Sequence, residues 1–357
     1  MVASELGKLL ARRGHQIHFI AYAAPFRMKE YQENLFFHQV EVTNYPLFKY
    51  PPYTLTLAVK MAEVTRQFDL DILHVHYAIP HATAGFLAQS ILGPEKSPRL
   101  VTTLHGTDIT LVGSDPSFFD ITCFSIKAAD KVTAISHYLK TATIETFPSC
   151  TEIEVIPNFV DLKEFHSGRD GCERCQFAKD DELLLVHLSN FRPVKRPVDT
   201  VRILAAVCKT QPARLVLVGD GPEMAPVVTE AKKLGVLDRI HFLGNQDHVQ
   251  PLLACCDVFI LPSEQESFGL AALEALACGV PAVTSDVGGL SELVVNGENG
   301  FREALGDIDA MAARVIEIAA TTDALDKFRQ AACQSAKKFD SEKVIPQYEE
   351  MYRRALL

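Results

Sequence analysis

A polar loop at positions 262–269, Pro-Ser-Glu-Gln-Glu-Ser-Phe-Gly, holds the densest concentration of chemically able residues in the chain. It follows an apolar strand pattern ending at Leu261 and runs into a helical pattern that closes at Gly279. Gly269 lets backbone approach a ligand where that helix starts, and a helix start favours an anion. The N–H groups of Phe268, Gly269 and Leu270, with Ser267 beside them, would therefore face a diphosphate. Glu266 is placed to reach a sugar hydroxyl, and Glu274, two turns into the helix, to accept from a ribose diol. A single glutamate is usually a solvated surface residue. Two of them in one such loop and helix favour a binding role.

Other candidates are weaker alone. The run 217–222, Leu-Val-Gly-Asp-Gly-Pro, ends a buried strand with a glycine-flanked turn at the edge where open α/β sheets bind ligands. Gly219 and Gly221 there would let a nucleotide lie close, although any tight strand-to-helix turn reads similarly. His105 follows a strand, where a lone histidine is more often a structural hydrogen-bonder than a catalyst. Cys172 and Cys175 form half of a zinc pattern with no second pair at standard spacing nearby, so no metal is expected.

Glu266-Ser267-Phe268-Gly269 followed by Glu274 after seven residues resembles the signature of glycosyltransferase family 4, and the likeness covers essentially the whole chain. The stretches 74–77 (His-Val-His-Tyr), 103–110 (Thr-Leu-His-Gly-Thr-Asp-Ile-Thr) and 189–196 (Ser-Asn-Phe-Arg-Pro-Val-Lys-Arg) resemble one branch of it. That branch moves N-acetylglucosamine from UDP-N-acetylglucosamine to L-malate at the first step of bacillithiol biosynthesis. The resemblance implies a GT-B fold and retention at the anomeric carbon. It implies that Arg192 and Lys195 neutralise the donor diphosphate, Asn245 and Gln246 meet the base, and His105 contacts the donor sugar. Tyr77 and Thr102 are the acceptor candidates, since a dicarboxylate needs hydroxyl or cationic donors. Two positions depart from the pattern: Asn190 stands where the family usually has arginine, and Cys123 near where related malate-using enzymes tend to have one.

No paired Asp-x-Asp appears at a donor loop, so the leaving-group charge is assigned to Arg192, Lys195 and helix N-termini, and transfer is expected to need no metal or cofactor. No carboxylate stands out as a nucleophile, which favours attack on the face from which UDP departs. Rival readings are a family member with another acceptor, a catalytically silent sugar-nucleotide binder, and a sugar-nucleotide epimerase.

Apolar runs alternate with helical patterns throughout, the mark of parallel sheets covered by helices. Strands are predicted at 16–21, 72–76, 100–104, 131–135, 153–156, 183–188, 214–218, 240–243, 258–261 and 281–284. Turn formers and charges over 158–181 separate two such series. The expectation is two Rossmann-like doubly wound domains facing across a cleft, 1–157 for the acceptor and 158–340 for the nucleotide sugar. A charged helix at 341–357 would cross back to the first. Residues 2–13 read as a helix where a doubly wound domain normally opens with a strand, so the first strand and its glycine-rich loop are expected to be missing.

A net charge of -10 gives no basic face for nucleic acid. No apolar run nears the roughly 18 residues of a membrane span. With no signal-peptide layout, the expected address is the cytoplasm, with reduced thiols among the nine cysteines. A homo-oligomer is compatible with the sequence.

Overall fold

The computed structural model describes residues 2–24, 31–42, 49–150, 152–168 and 173–357. It contains two compact units, Met1–Asn158 with Glu342–Leu357, and Phe159–Ser341. The first holds β1 (Ile17–Ala21), β2 (Leu35–Gln39), β3 (Ile72–His76), β4 (Arg99–Leu104), β5 (Lys131–Ala134) and β6 (Ile153–Val155). The second holds β7 (Leu183–Leu188), β8 (Ala213–Val218), β9 (Ile240–Gly244), β10 (Val258–Leu261), β11 (Ala282–Ser285) and β12 (Gly300–Glu303). Five of the helices carry the argument below: α1 (Val2–Arg12), α2 (Tyr53–Phe68), α3 (Pro197–Val207), α4 (Leu270–Ala277) and α5 (Ser341–Leu356).

The second unit is one parallel sheet in the order β12-β11-β10-β7-β8-β9. Strands such as Leu-Leu-Leu-Val-His-Leu in β7 and Val-Phe-Ile-Leu in β10 are near-continuous apolar runs because helices cover both faces. Leu185, Leu215 and Ile260 of the sheet are fully buried in one cluster with Val201 and Leu204 of α3. The chain runs outward from β7 to β9, then returns to β10 on the other side of β7. The β7/β10 boundary is therefore the switch point, at whose carboxyl ends open α/β sheets bind ligands.

The first unit has two separate parallel sheets, β1-β2 and β3-β4-β5-β6. α1 places Leu6, Leu10 and Ala11 inward and Arg12 outward, and it packs on β1 so tightly that a Cβ at Gly7 would lie 2.3 Å from Phe19 Cζ. α5 is fastened to this unit by Arg13 to Glu349 at 2.8 Å, Arg354 to Glu154 at 2.8 Å, and the Tyr352 hydroxyl at His74 Nδ1, 2.7 Å.

All ten expected strands are present. β2 and β12 were not expected: Leu-Phe-Phe-His-Gln lacks an alternating pattern and is only partly covered, and β12 is a four-residue edge strand. Among the described residues no helix is long and apolar enough to cross a membrane. Among the described residues Cys123, Cys150, Cys175, Cys208, Cys256, Cys278 and Cys333 are free thiols. Cys172 lies outside the described residues.

Candidate functional site

In the second unit the loops after β7 and β10 meet over the switch point. Lys195 Nζ pairs with Glu266 Oε2 at 2.5 Å, with side chains 22% and 14% exposed, and Ser263 Oγ donates to the same carboxylate oxygen at 3.4 Å. Backbone bonds lock the two loops together, with Glu264 N–H donating to the Val194 carbonyl at 2.8 Å. Gly289 N–H donates to the Glu266 carbonyl at 2.9 Å.

His187, buried in β7, anchors the basic loop from below. Its Nδ1 lies 2.8 Å from the Ile260 carbonyl oxygen, which only accepts, so Nδ1 carries the proton and Nε2 accepts from Ser189 Oγ at 2.8 Å. Burial pushes this histidine down to about 4, in keeping with a neutral ring. The Phe191 N–H then donates to Ser189 Oγ, and the Phe191 ring is fully buried. A positive φ at Phe191 (34°) and Arg196 (48°) gives the loop its shape. Sequence reading missed His187, whose only signal is a polar residue in an otherwise apolar strand.

Gly269, at φ 97°, stands at the start of α4, and Glu274 within that helix is buried. Phe268 is buried as well, against Phe339 at 5.5 Å, so this loop's aromatic is a structural anchor. Arg192 is exposed, and Arg196 is bound to Asp199 at 2.6 Å. Asn245 and Gln246 are both exposed after β9, with the Gln246 amide donating to the Leu243 carbonyl at 2.7 Å. At Gly219, φ 119°, a Cβ would sit 1.8 Å from the Ser189 carbonyl oxygen. What approaches it closely is the protein's own basic loop. Gly221 lies likewise under the Asn190 carbonyl, at 2.3 Å from a hypothetical Cβ.

In the first unit the carboxyl ends of β3 and β4 carry a network of imidazoles. His76 Nδ1 is 2.8 Å from His105 Nε2, and Tyr77, at φ 79° and 38% exposed, sets its ring 4.9 Å from that of His105. Behind them His74 bonds Thr103 Oγ1 and the Tyr352 hydroxyl, each at 2.7 Å, and Thr103 bonds Thr133 at 2.7 Å. His81 Nδ1 donates to the His76 carbonyl at 2.6 Å. Burial holds every ring below the ordinary histidine value, His74 at about 3 and His105 at about 4. Asp108 is buried under the His105 turn and accepts from the backbone N–H groups of Ala78, Gly106 and His105 at 2.8, 2.9 and 3.2 Å. It ties the end of β4 to the turn after β3. Burial raises its carboxyl, and those three donors oppose the rise.

Thr102 departs from the expectation of an acceptor contact. It is fully buried within β4, where side chains alternate between faces, and its hydroxyl has no partner among the described residues. A hydroxyl so enclosed is not open to an arriving acceptor. Cys123 points its sulfur at Ser149 and Cys150, 3.5 and 3.8 Å away, and offers no cation.

Residues 1–164 match the family model described as Glycosyltransferase Family 4, and 173–335 that of Glycosyl transferases group 1. The N-acetyl-alpha-D-glucosaminyl L-malate synthase of Bacillus anthracis is 44% identical over 354 residues, covering 99% of this chain and 92% of that protein. Glycogen synthase of Mycobacterium tuberculosis is 28% identical over 78% of this chain and 67% of its own length. Among solved structures, sucrose-phosphate synthase of Thermosynechococcus elongatus superposes with a TM-score of 0.81 at 21% identity, covering 99% of this chain and 92% of that one. Anabaena HepE in complex with UDP-glucose gives 0.81 at 23%, covering 99% and 95%. With two parallel Rossmann-like units of the GT-B kind and a near full-length relative at this identity, the chain belongs to glycosyltransferase family 4.

Proposed function

We propose that the protein transfers N-acetylglucosamine from UDP-N-acetylglucosamine to the hydroxyl of L-malate with retention at the anomeric carbon. The observation that carries the reading is the 44% identity over 99% of the chain to a protein of that name. The pairing of Lys195 with Glu266 supports the donor half of the reading. Lys195 and Glu266 straddle the switch point beside the start of α4, so an arriving diphosphate competes for Lys195 and releases Glu266 to accept from the sugar. Arg192, exposed on the same loop, adds charge to the leaving group, and Glu274 and Gln246 remain the nucleoside candidates.

In the first unit His105 and Tyr77 present the sugar and acceptor contacts. The bond from the anomeric carbon to the UDP oxygen breaks, and the bond to the malate oxygen forms on the same face. The malate proton passes to the departing phosphate oxygen. Lys195 stabilises that oxygen as charge develops on it.

An acceptor panel tests the reading. UDP release from UDP-N-acetylglucosamine is measured with L-malate, with an inositol phosphate and with water alone. Release that depends on malate is expected; equal release with all three, or release only with the inositol phosphate, overturns it.

A further inference from the structure

We infer that Cys123 and Cys150 form a dithiol that a hydroperoxide converts, reversibly, into an intrachain disulfide stapling the helix Phe119–Lys127 to the turn after the helix His137–Thr146. Both are free thiols, and their Sγ atoms are 3.8 Å apart. The Cys150 thiol also donates to the Cys123 carbonyl oxygen at 3.8 Å, so its sulfur lies over the backbone that carries its partner.

The chain holds this approach from both sides. On one side the helix of Cys123 is fastened by Ser125 Oγ, 2.7 Å from Thr83 Oγ1, and by the Phe124 ring, edge-on to Phe86 at 4.8 Å. On the other, Phe147 is buried against Phe119 at 4.9 Å, and its carbonyl accepts from the Cys150 N–H at 2.9 Å. Both backbones are therefore set before any bond forms. Closing from 3.8 Å to the roughly 2.05 Å of a disulfide is a matter of side-chain rotation. Cysteines that serve only as small core residues are buried, and Cys150 alone fits that description. Cys123 does not, since it is partly exposed and its sulfur has a second polar neighbour, Ser149 Oγ, at 3.5 Å. At this departure from the family pattern the side chain supplies a reactive sulfur in place of a cation.

Exposure sets the order of events. The Cys123 sulfur attacks a peroxide oxygen, the O–O bond breaks, and the departing hydroxide leaves as water with the thiol proton, which makes Cys123 a sulfenic acid. The Cys150 sulfur then attacks the Cys123 sulfur. An S–S bond forms, the S–O bond breaks, and a second water leaves with the Cys150 proton. The two thiols have lost two electrons and the peroxide has gained them. Burial pushes the Cys150 thiol up to about 11, which keeps it from reacting first, while the Lys127 charge favours its thiolate in the second step. Reduction runs in reverse, by attack of an external thiolate on the accessible Cys123 sulfur. Joining positions 123 and 150 removes freedom from the unfolded chain, so the first unit gains stability under the oxidant that forms the staple.

The test is thiol mapping of the native chain, Cys150→Ser and Cys123→Ser, each treated with hydrogen peroxide and with dimedone, which traps sulfenic acids. In native chains of monomer mass, the peptides holding 123 and 150 are expected to be joined, and dithiothreitol to release them. Cys150→Ser is expected to carry several-fold more dimedone on Cys123 than the native chain, and Cys123→Ser to keep Cys150 as a thiol. The oxidised native chain is expected to unfold at a higher temperature than the reduced one. Equal dimedone labelling of Cys123 in the native chain and in Cys150→Ser would overturn the proposal, as would two thiols that survive after the exposed Cys175 is fully oxidised. An unraised unfolding midpoint in the joined protein would overturn the stapling. If neither serine variant folds, the native chain decides by whether its two peptides are joined or separate. None of these readouts uses enzymatic activity, so failure of the acceptor assignment leaves them intact.

Discussion

His76 Nδ1 lies 2.8 Å from His105 Nε2, and desolvation of these half-buried rings favours their neutral forms. One ring must then donate and the other accept, which fixes complementary tautomers and the orientation of His105. His76 is accordingly a positioning residue. Replacing it with leucine removes the partner, and a drop in kcat of about ten-fold, the value of one hydrogen bond, is expected with a smaller change in donor KM. His76→Asn, which keeps a polar atom near the Nδ1 position, is expected to recover part of the loss. Steady-state kinetics of the two variants check this, and equal activity in both would contradict it.

Lys195 and Glu266 are expected to act as a catalytic unit. Lys195→Ala should lower kcat/KM for the donor by about 10²- to 10³-fold, the scale for removing one preorganised electrostatic group. Glu266→Gln should be similarly damaging, and the double variant is expected to lose less than the product of the two, as for residues in one network. Thermal unfolding should move little beside these effects, because the pair is partly solvent-exposed. A double-mutant cycle on kcat/KM that proves additive would refute the coupling.

Gly219→Ala is expected to unfold the donor loop's support. The substitution puts a methyl group 1.8 Å from the Ser189 carbonyl at a φ of 119°. A cost of about 2–4 kcal/mol follows from the forced backbone movement. The midpoint of urea unfolding measures it, and an unchanged midpoint would show that the 189–196 loop does not depend on that contact.

The imidazole network should make the protein acid-sensitive in a defined window. His74 and His105 are held at about 3 and about 4, below the value of about 6.5 for an unfolded histidine. As pH falls from about 6.5 toward 4, the unfolded chain binds protons that the folded one refuses, so the stability these residues give above that window is lost within it. Glu349, held down to about 2 chiefly by its hydrogen bond with Arg13, contributes its own loss only below the ordinary carboxylate range. The interval from pH 6.5 to 5 therefore excludes Glu349 and is read by comparison with a histidine variant. Tm should fall across it in the native chain and less steeply in His74→Phe; parallel slopes would contradict the assignment.

Much of the donor half is legible in sequence because its signals are local. The spacing of Glu266, Gly269 and Glu274 around one strand-to-helix turn states its chemistry within nine residues. Lys195 and Glu266 are brought together by the adjacency of β7 and β10, and that adjacency follows from the alternation of strands and helices. The remaining roles depend on partners distant in the chain. His187 is tied to Ile260, Asp108 to Ala78, and His74 to Tyr352, none of which local spacing announces. Thr102 is placed differently for the same reason: whether a strand residue faces a ligand or its own neighbours is decided by packing.

Product analysis of the purified chain incubated with UDP-N-acetylglucosamine and L-malate tests the central claim most directly. Mass spectrometry, with the anomeric proton coupling read by NMR, is expected to show an α-linked N-acetylglucosaminyl malate accumulating with UDP. UDP accompanied by free N-acetylglucosamine, or a β-linked product, would contradict the account.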